Sequence, residues 1–395
     1  YELFPMNYYR MWRMAKVKST DFCFPMMSAR GCSFKCTFCY RMDTGYRMRS
    51  PESLLDEVEM LHKDYGITNI SFQDDLLMSS VFHTEEVCRE FLRRNLPIKW
   101  QCNGRLNYCS KELLQLMKDA GCNFINYGIE SMDQKVLNNM KKGLRPEMII
   151  KGVEDTLKVG ISPGLNFIFG NVGDNKTTIK SSVDFLLKYD DFAQKRTIRP
   201  VTPYPGSPLY YYAIDMGLLD KDNPAEDFYE NKHLNSDLIC CNFTELSDEE
   251  YYECLRSSNS TLMKNYYDKQ KSSTLAQINY LYKEKDATFR GFRHNRGEEK
   301  IIKKTKVVSI NGIKEDGKVV VEQKYDSTNP VNWENTSSDG ERFSQQLDIE
   351  QEKKSLNSYE IYLKRKEIRS AAKRTAKAKA TNQTKKKLEK ELLTI

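Results

Sequence analysis

The feature that most constrains this sequence is a unit of helix, glycine and strand that recurs along the chain. In each repeat, apolar residues recur every three or four positions, a glycine follows, and an apolar, strand-like run comes next. The three glycines are Gly66, Gly121 and Gly160. Parallel strands need a long crossover connection, usually a helix, so this alternation predicts a parallel sheet with helices outside it.

Six segments are predicted as strands of that sheet: residues 23–28, 67–73, 98–103, 123–129, 163–169 and 196–202. Six strands are fewer than the eight of a complete (β/α)8 barrel. In sheets of this kind the active site lies at the carboxyl ends of the strands. We therefore expect the functional residues directly after the predicted strands.

A cysteine-rich segment follows the first predicted strand. Cys32, Cys36 and Cys39 have the spacing Cys-x3-Cys-x2-Cys, with Phe38 just before the third cysteine. Iron–sulfur clusters usually take four cysteines, so three on one loop indicate a 4Fe–4S cluster with one iron open to a substrate or cofactor. A structural zinc site would need a second cysteine pair, and none lies nearby. A disulfide framework does not suit a chain of this size with 11 unevenly placed cysteines.

These residues resemble the radical S-adenosylmethionine (SAM) superfamily, whose motif is Cys-x3-Cys-x-aromatic-Cys. Other segments resemble the branch that usually carries an upstream cobalamin-binding domain: Ser50-Pro51-Glu52, Phe72-Gln73-Asp74-Asp75, Gly128-Ile129-Glu130-Ser131 and Thr202-Pro203-Tyr204-Pro205-Gly206. The resemblance covers about residues 1–225. It implies an α/β fold with a partial (β/α)6 TIM-like barrel, Cys32, Cys36 and Cys39 as metal ligands, and SAM bound at the open iron.

The resemblance and the strand-end positions together predict the residues that contact the cofactors: Phe38, Tyr40, Asp74, Asp75, Asn103, Arg105, Glu130 and Ser131. Phe38 is expected beside the cluster and the adenine, and the backbone of Tyr40 at the adenine edge. The two aspartates stand where many relatives hold a Gly-Gly-Glu segment that contacts the SAM ammonium. A carboxylate suits an ammonium through a charge-assisted hydrogen bond.

Structural alternatives stay open for several of these residues. Asp74 and Asp75 are also typical of loop capping, and Arg105 also suits a surface ion pair or an anionic substrate. Ser131 and Gln134 match a helix capping box, Ser-x-x-Gln. Glu130 ends an apolar strand, where an unpaired carboxylate would be costly.

The implied activity is reductive cleavage of SAM to a 5′-deoxyadenosyl radical. The radical would serve methylation or rearrangement at an unactivated carbon of a small metabolite. Cobalamin is a further expected cofactor, with its binding domain outside this chain. An electron donor such as flavodoxin or ferredoxin is the expected partner. Two alternatives remain: a methylthiotransferase acting on tRNA or protein, and a non-catalytic iron–sulfur electron-transfer protein.

The predicted organisation has four parts: a linker from an upstream cobalamin domain over 1–20, the radical SAM core over 21–225, a helical segment over 226–295, and a polar, basic extension over 296–395. The last 45 residues carry a net charge of +9 and the other 350 residues carry −2, so the net charge of +7 comes entirely from this tail. We predict no nucleic-acid partner from the tail because no aromatic residues alternate with the charges. We expect no membrane partner, since no run reaches the roughly 20 apolar residues of a membrane span. Eleven cysteines without a secretory signal favour the cytoplasm.

Overall fold

The structure is a computed structural model that describes Tyr1 and residues 15–17, 21–40 and 45–284. Most of the predicted linker over 1–20 lies outside the described residues, and so does the whole extension over 296–395. The predicted domain boundaries stay predictions. Within the described part of the chain, no helix is both long enough and apolar enough to cross a membrane.

Six parallel strands form the main sheet. In spatial order they are β1 (Cys23–Met26), β4 (Asn69–Phe72), β5 (Lys99–Gly104), β6 (Cys122–Glu130), β7 (Ser162–Phe169) and β8 (Ile198–Pro200). The spatial order follows the chain order, and β1 and β8 lie at the two edges. All six predicted strands are confirmed, as is the open six-stranded architecture.

Two further strands form a ribbon that the sequence did not predict. β2 (Ala29–Gly31) pairs antiparallel with β3 (Tyr46–Met48), and the cysteine segment leaves from the end of β2. Each strand has only three residues, too few for a pattern of period two to be recognised. We call this pair the β2–β3 ribbon.

Helices connect the strands and continue beyond the last one. They are α1 (Pro51–Tyr65), α2 (Val81–Arg94), α3 (Lys111–Asp119), α4 (Gln134–Asn139), α5 (Pro146–Lys158), α6 (Lys176–Tyr189), α7 (Pro208–Asp215), α8 (Pro224–Asn231) and α9 (Asp248–Glu284). The predicted helical character after residue 226 agrees with α8 and α9.

Local sequence explains where α1 begins and ends. The Ser50 hydroxyl accepts a hydrogen bond from the Ser53 amide, and proline occupies the first turn, where its missing N–H costs nothing. Gly66 ends the helix in the left-handed conformation, at φ 69°. The chain then turns directly into the segment that leads to β4, so the strand is placed by the helix before it.

The capping box predicted for Ser131 and Gln134 is wrong. Helix α4 begins two residues later than that pattern requires, and Asp133 is the N-cap residue. Its carboxylate accepts a hydrogen bond from the Val136 amide at 2.9 Å. The Ser131 hydroxyl instead accepts from the Asp133 amide at 3.1 Å, within the turn that leads into the helix.

The main core lies between the sheet and the helices that cover its outer face. Trp100 on β5 is fully buried there, with its ring centroid 5.6 Å from that of Phe91 on α2 and 5.8 Å from that of Phe72 on β4. Its indole N–H donates to the Ala120 carbonyl at 2.8 Å. The apolar faces of the helices and the outward side chains of the strands therefore form one packed layer.

Helix α9 covers the β8 edge of the sheet. The Asn259 side chain accepts a hydrogen bond from the Ile198 amide at 2.8 Å and donates to the Ile198 carbonyl at 2.9 Å. One side-chain amide thus satisfies both backbone groups of a residue on an edge strand. Exposed strand edges favour pairing with other chains, and this contact occupies part of that edge.

Candidate functional site

The cysteine loop, residues 32–39, begins directly after β2 and lies in the sequence between the two strands of the β2–β3 ribbon, beyond the carboxyl end of β1. Cys36 is buried, and Cys32 and Cys39 are half-buried. Two backbone hydrogen bonds fix the loop. The Thr37 amide donates to the Met140 carbonyl at 2.9 Å, and the Thr37 carbonyl accepts from the Leu209 amide at 2.9 Å.

The three thiols of this loop lie in one electrostatic environment. The pKa of Cys39 rises to about 11, first because it is buried and then because Cys36 and Cys32 lie nearby. The Lys142 ammonium acts in the opposite direction. All 11 cysteines of the chain are free, so none of the three is held in a disulfide.

Arg105, which follows β5, reaches the cysteine loop. Its Nη1 lies 3.7 Å from the Cys36 sulfur, and its guanidinium carbon lies 3.5 Å from the centroid of the Phe34 ring. Its Nε donates to the Asn107 Oδ1 at 2.8 Å. The side chain is buried, and its Nη2 has no hydrogen-bond partner among the described residues. Arg105 therefore has one nitrogen, Nη2, that can still donate to a ligand, and the side chain does not form the surface ion pair considered from the sequence.

Glu130 and Lys142 form a buried ion pair on the other side of the loop. The Lys142 Nζ lies 2.9 Å from the Glu130 Oε1, with side chains 7% and 9% exposed. The Nζ also lies 5.5 Å from the centroid of the Phe38 ring. Glu130 has a left-handed backbone, at φ 72°, where the β6–β7 register shifts. The carboxylate that ends β6 is therefore paired.

Asp74, after β4, holds the chain that follows β1. Its carboxylate accepts hydrogen bonds from the Ser28 amide at 2.7 Å, the Ala29 amide at 3.0 Å and the Ser28 hydroxyl. Burial raises its pKa above the usual range for an aspartate. These contacts favour the loop-capping alternative for Asp74. Asp75 is exposed and lies close enough to influence Cys39, and its contact with SAM stays a prediction.

Asn103 belongs to a row of three asparagines on the inner face of the sheet. Its Nδ2 donates to the Asp74 carbonyl at 2.7 Å, and its Oδ1 accepts from the Asn126 Nδ2 at 3.0 Å. The Asn126 Oδ1 accepts in turn from the Asn166 Nδ2 at 2.7 Å. This asparagine row (Asn103, Asn126, Asn166) crosses β5, β6 and β7, so Asn103 is part of the barrel wall.

Tyr40 ends the described part of the loop. Its side chain is 53% exposed, and its ring lies against Gly206, within the predicted Thr202–Gly206 motif. Phe38 is half-buried against the core. The structure thus brings the loop, the ends of β5 and β6, and the segment after β8 into one region. The cofactor contacts of Phe38, Tyr40 and Ser131 stay predictions.

Lys142 and Phe34 were not predicted as site residues. Lys142 lies in a turn after α4, in the sequence Lys141-Lys142-Gly143, which resembles many solvated turns. Phe34 lies inside the cysteine motif, at a position that the motif leaves unspecified. One observation on the sequence could have indicated Lys142. Glu130 was expected to be buried, and a buried carboxylate needs a cation nearby.

A comparison with protein-family models identifies the fold and the motif together. The model of the radical SAM superfamily matches residues 26–186, a range that contains the cysteine loop and β4 to β7. Residues 26–186 form a radical SAM domain. The resemblance stated from the motif is confirmed.

Curated relatives of the radical SAM domain include methyltransferases. An uncharacterized methyltransferase of Pyrococcus horikoshii is 31% identical over 245 residues, which are 60% of this chain and 53% of that protein. The bacteriochlorophyllide d C-12(1)-methyltransferase of Chlorobaculum tepidum is 27% identical over 241 residues, 58% of this chain and 51% of that protein. The chain thus spans about half the length of these relatives.

Among solved structures, the radical SAM methyltransferase TsrM of Kitasatospora setae, with tryptophan and a SAM analogue bound, has a TM-score of 0.45 with this chain. The two are 21% identical, and the match covers 49% of this chain and 39% of that one.

The residues of the radical SAM domain fit a 4Fe–4S cluster. Within the described residues, no three His, Cys, Asp or Glu side chains lie close enough together to hold a single metal ion. A 4Fe–4S cluster makes a different demand, because each cysteine binds its own iron. The thiolates and cluster together are anionic, and the buried, positively charged Arg105, whose Nη2 has no hydrogen-bond partner among the described residues, suits an anionic neighbour. The donor set and the adjacent cation therefore suit the cluster.

Proposed function

We propose that this chain is the catalytic part of a radical SAM methyltransferase that modifies an unactivated carbon of a small metabolite. The single observation that carries the proposal is the cysteine loop with the buried Arg105 guanidinium beside Cys36. The methyltransferase names of the relatives support methyl transfer over rearrangement. When bound, the reduced cluster and SAM would supply one-electron cleavage of a carbon–sulfur bond.

The residues of the chain would bind and orient these groups. Cys32, Cys36 and Cys39 would hold three irons, and their thiols lose their protons when metal binds. The Nη2 of Arg105 would donate to an anionic group, and the SAM carboxylate is the candidate expected from the sequence. Phe34 and Asn107 hold the guanidinium in place, so its position is fixed before a ligand binds.

The inner wall of the barrel would bind the substrate through polar contacts. The asparagine row lies there, and Asn166 at its end is exposed. Its Nδ2 already donates to Asn126 and to the Tyr127 carbonyl, so the Oδ1 is the atom of this exposed side chain that would accept a hydrogen bond from a substrate. This arrangement supports a substrate that carries N–H or O–H groups.

Three further parts of the proposal concern the surroundings of the enzyme. The electron donor would be a flavodoxin or ferredoxin, because the reaction needs one electron at a time. Cobalamin would assist methyl transfer, with its binding domain outside this chain. The cytoplasm is the proposed location, since 11 free cysteines suit a reducing compartment.

The test is an anaerobic reconstitution of the full chain with iron and sulfide, followed by dithionite and SAM. We expect cluster absorption in the visible spectrum and release of 5′-deoxyadenosine or S-adenosylhomocysteine. Cys36→Ala should lose both. Cys240→Ala is the matched control, because this half-buried thiol lies outside the loop. A loaded, reduced cluster that leaves SAM intact would instead favour the electron-transfer alternative.

The cofactor branch needs a separate measurement. Ultraviolet–visible spectroscopy detects bound cobalamin directly, on this chain and on any longer form of the protein. Methylthiolation of tRNA would contradict the small-metabolite substrate, and incubation with bulk tRNA followed by nucleoside mass spectrometry tests it.

A further inference from the structure

Arg199 on β8 lies on the inner face of the sheet, together with the asparagine row. Phe167 on β7 lies on the outer face, because its ring centroid is 5.8 Å from that of Phe185 on α6. Phe167 pairs with the buried Ile198 on β8. Successive side chains of a strand point to opposite faces. Arg199, next to Ile198, and Asn166, next to Phe167, therefore both point toward the barrel interior.

Arg199 has a charged partner, Asp237, and the two form a long, exposed ion pair. The Arg199 Nε lies 3.5 Å from the Asp237 Oδ1, and the side chains are 59% and 47% exposed. A charge-assisted hydrogen bond between a guanidinium and a carboxylate is normally about 2.7–2.9 Å long, so this pair is longer than a direct hydrogen bond. An exposed ion pair contributes little to stability. A ligand can therefore separate the two groups at little cost.

The loop that carries Asp237, residues 232–237, is held by its own contacts. The Asp237 amide donates to the His233 Nδ1 at 3.3 Å. Because this nitrogen accepts a hydrogen bond, His233 is neutral in this arrangement. The Ser236 hydroxyl lies 2.8 Å from the hydroxyl of Tyr204, on the segment after β8. The backbone that carries the Asp237 carboxylate is therefore fixed beside β8 before a ligand binds.

The ion pair favours a ligand that carries both charges. An anion alone would bind Arg199 but lie beside the Asp237 carboxylate, and a cation alone would bind Asp237 but lie beside the guanidinium. A ligand with an ammonium and a carboxylate can pair with both groups without changing the total charge of the site. The two groups of the site are 3.5 Å apart. The two ligand groups must therefore also be close together, as they are when a single carbon joins them.

We propose that Arg199 and Asp237 bind the α-amino acid end of the substrate. The inference rests on the proposed function, because it names the substrate class of that site. The substrate carboxylate pairs with Arg199, whose planar guanidinium can donate two parallel hydrogen bonds to it. The substrate ammonium donates to Asp237. Asn166, on the same face of the neighbouring strand, accepts a hydrogen bond from another part of the substrate.

The test measures binding to the full reconstituted chain in the presence of SAM, before reduction. The probes are the common L-amino acids, one at a time, in titration calorimetry. We expect at least one of them to bind, and Arg199→Gln and Asp237→Asn should each weaken its binding by about tenfold or more. Succinate, which is only anionic, and 1,4-diaminobutane, which is only cationic, should bind much more weakly than that amino acid.

Modified forms of the bound amino acid identify which group each residue contacts. The N-acetyl form lacks the ammonium, so Asp237→Asn should no longer weaken its binding. The amide form lacks the carboxylate, so Arg199→Gln should no longer weaken its binding. Two variants that weaken the binding of both forms as much as that of the parent amino acid would overturn the assignment.

Arg256→Gln is the matched control variant. Arg256 on α9 is 71% exposed and pairs with Glu253, so it has the same charge and the same kind of partner but does not lie on the sheet. This variant should bind the amino acid as the wild type does. Equal weakening in Arg199→Gln and Arg256→Gln would show a net-charge effect and overturn the proposal. A wild-type chain that binds no amino acid, or that binds succinate equally well, would overturn it too.

Failure of the proposed function would be recognised separately. A wild-type chain that takes up no cluster contradicts that function, and titration of the unloaded chain with the same probes still tests the ion pair. Binding that Arg199→Gln loses would support the inference, and the absence of binding would overturn it. A loaded chain that cleaves SAM after reduction but binds no amino acid would retain the proposed chemistry and lose only this substrate class.

Discussion

Two buried cations flank the cysteine loop, and the protein stabilises them differently. Lys142 has a carboxylate partner in Glu130. Arg105 has an aromatic face, one amide oxygen and the Cys36 sulfur, but no carboxylate among the contacts of the described residues. Breaking the Glu130–Lys142 pair leaves a buried charge without a partner. Removing Arg105 instead changes the electrostatic potential at the Cys36 sulfur. The two residues therefore call for different measurements.

Substitution of Lys142 by methionine should destabilise the full chain. It leaves the Glu130 carboxylate buried without its cation, which typically costs about 3–5 kcal/mol. Urea unfolding at neutral pH measures the change. The double variant Glu130→Gln/Lys142→Met should recover most of the loss, because no buried charge remains. Lys158→Met is the exposed control and should cost less than about 1 kcal/mol; equal losses for both lysines would contradict the argument.

Substitution of Arg105 by glutamine should lower the midpoint potential of the bound cluster. Positive charge and hydrogen bonds at the sulfur atoms favour the more negative, reduced form. We expect a decrease on the order of 60 mV, the equivalent of tenfold for one electron, in a redox titration followed by electron paramagnetic resonance. Arg105→Lys keeps the charge, and its midpoint potential should lie between those of the wild type and Arg105→Gln. An intact cluster with an unchanged potential would contradict this role.

Individual elements differ in how far local sequence determines them. Ser50 and Gly66 bound α1 by chemistry within a few residues, so the helix and the start of β4 are predictable. β6 is predictable as a strand, but its register shift near Glu130 is not. That shift lies where the Glu130 carboxylate contacts Lys142, which follows α4 in the chain. The local sequence pattern therefore predicts that the helix and the strand exist, but it does not predict the register of the strand near Glu130.

Substitution of Gly170 by alanine should loosen α9 from the sheet. Gly170 has a φ of 95°, and a Cβ there would lie 1.7 Å from the Tyr251 hydroxyl oxygen. Tyr251 is fully buried and donates to the Phe169 carbonyl, so it would have to move. Strain and overpacking together should cost about 2–4 kcal/mol in urea unfolding, with faster tryptic cleavage within α9.

Gly217→Ala is the matched control for that experiment. Gly217 also has a left-handed backbone, at φ 67°, but a Cβ there meets no atom of the described residues within 4 Å. The control isolates the conformational strain and should cost only about 1 kcal/mol. Equal costs at the two glycines would show that Tyr251 is not the cause.

On the scale of the whole molecule, the sequence predicted the sheet and the three cysteines but not the surroundings of the cysteines. The strands follow from periodicity, and the cysteines from spacing. The β2–β3 ribbon, the Asn259 contact with β8 and the Lys142 pair each join residues that are between 12 and 61 positions apart in sequence. No local pattern encodes such contacts, so they appear only when the chain is folded.

Overall stability should depend on pH through Asp174. Burial raises the pKa of this carboxyl from 3.8 to about 6. The folded state then binds more protons than the unfolded state between about pH 4 and 6. The protonated Asp174 therefore contributes fully to the free energy of unfolding below about pH 4. This contribution, up to about 3 kcal/mol, is lost as the pH rises to 6. Urea unfolding at pH 4.5 and 6.5 should show this loss, and Asp174→Asn should remove it; the same pH response in both proteins would contradict it.

The asparagine row has a direction. At one end the Asn103 amide nitrogen donates to a backbone carbonyl, which can only accept, and at the other end the Asn166 nitrogen does the same. These two anchors fix which way all three carboxamides point, so none can rotate by half a turn without breaking bonds on both of its sides. The dipoles of the three carboxamides are therefore aligned, and reversing the carboxamide on one of the strands β5, β6 and β7 would require reversing all three.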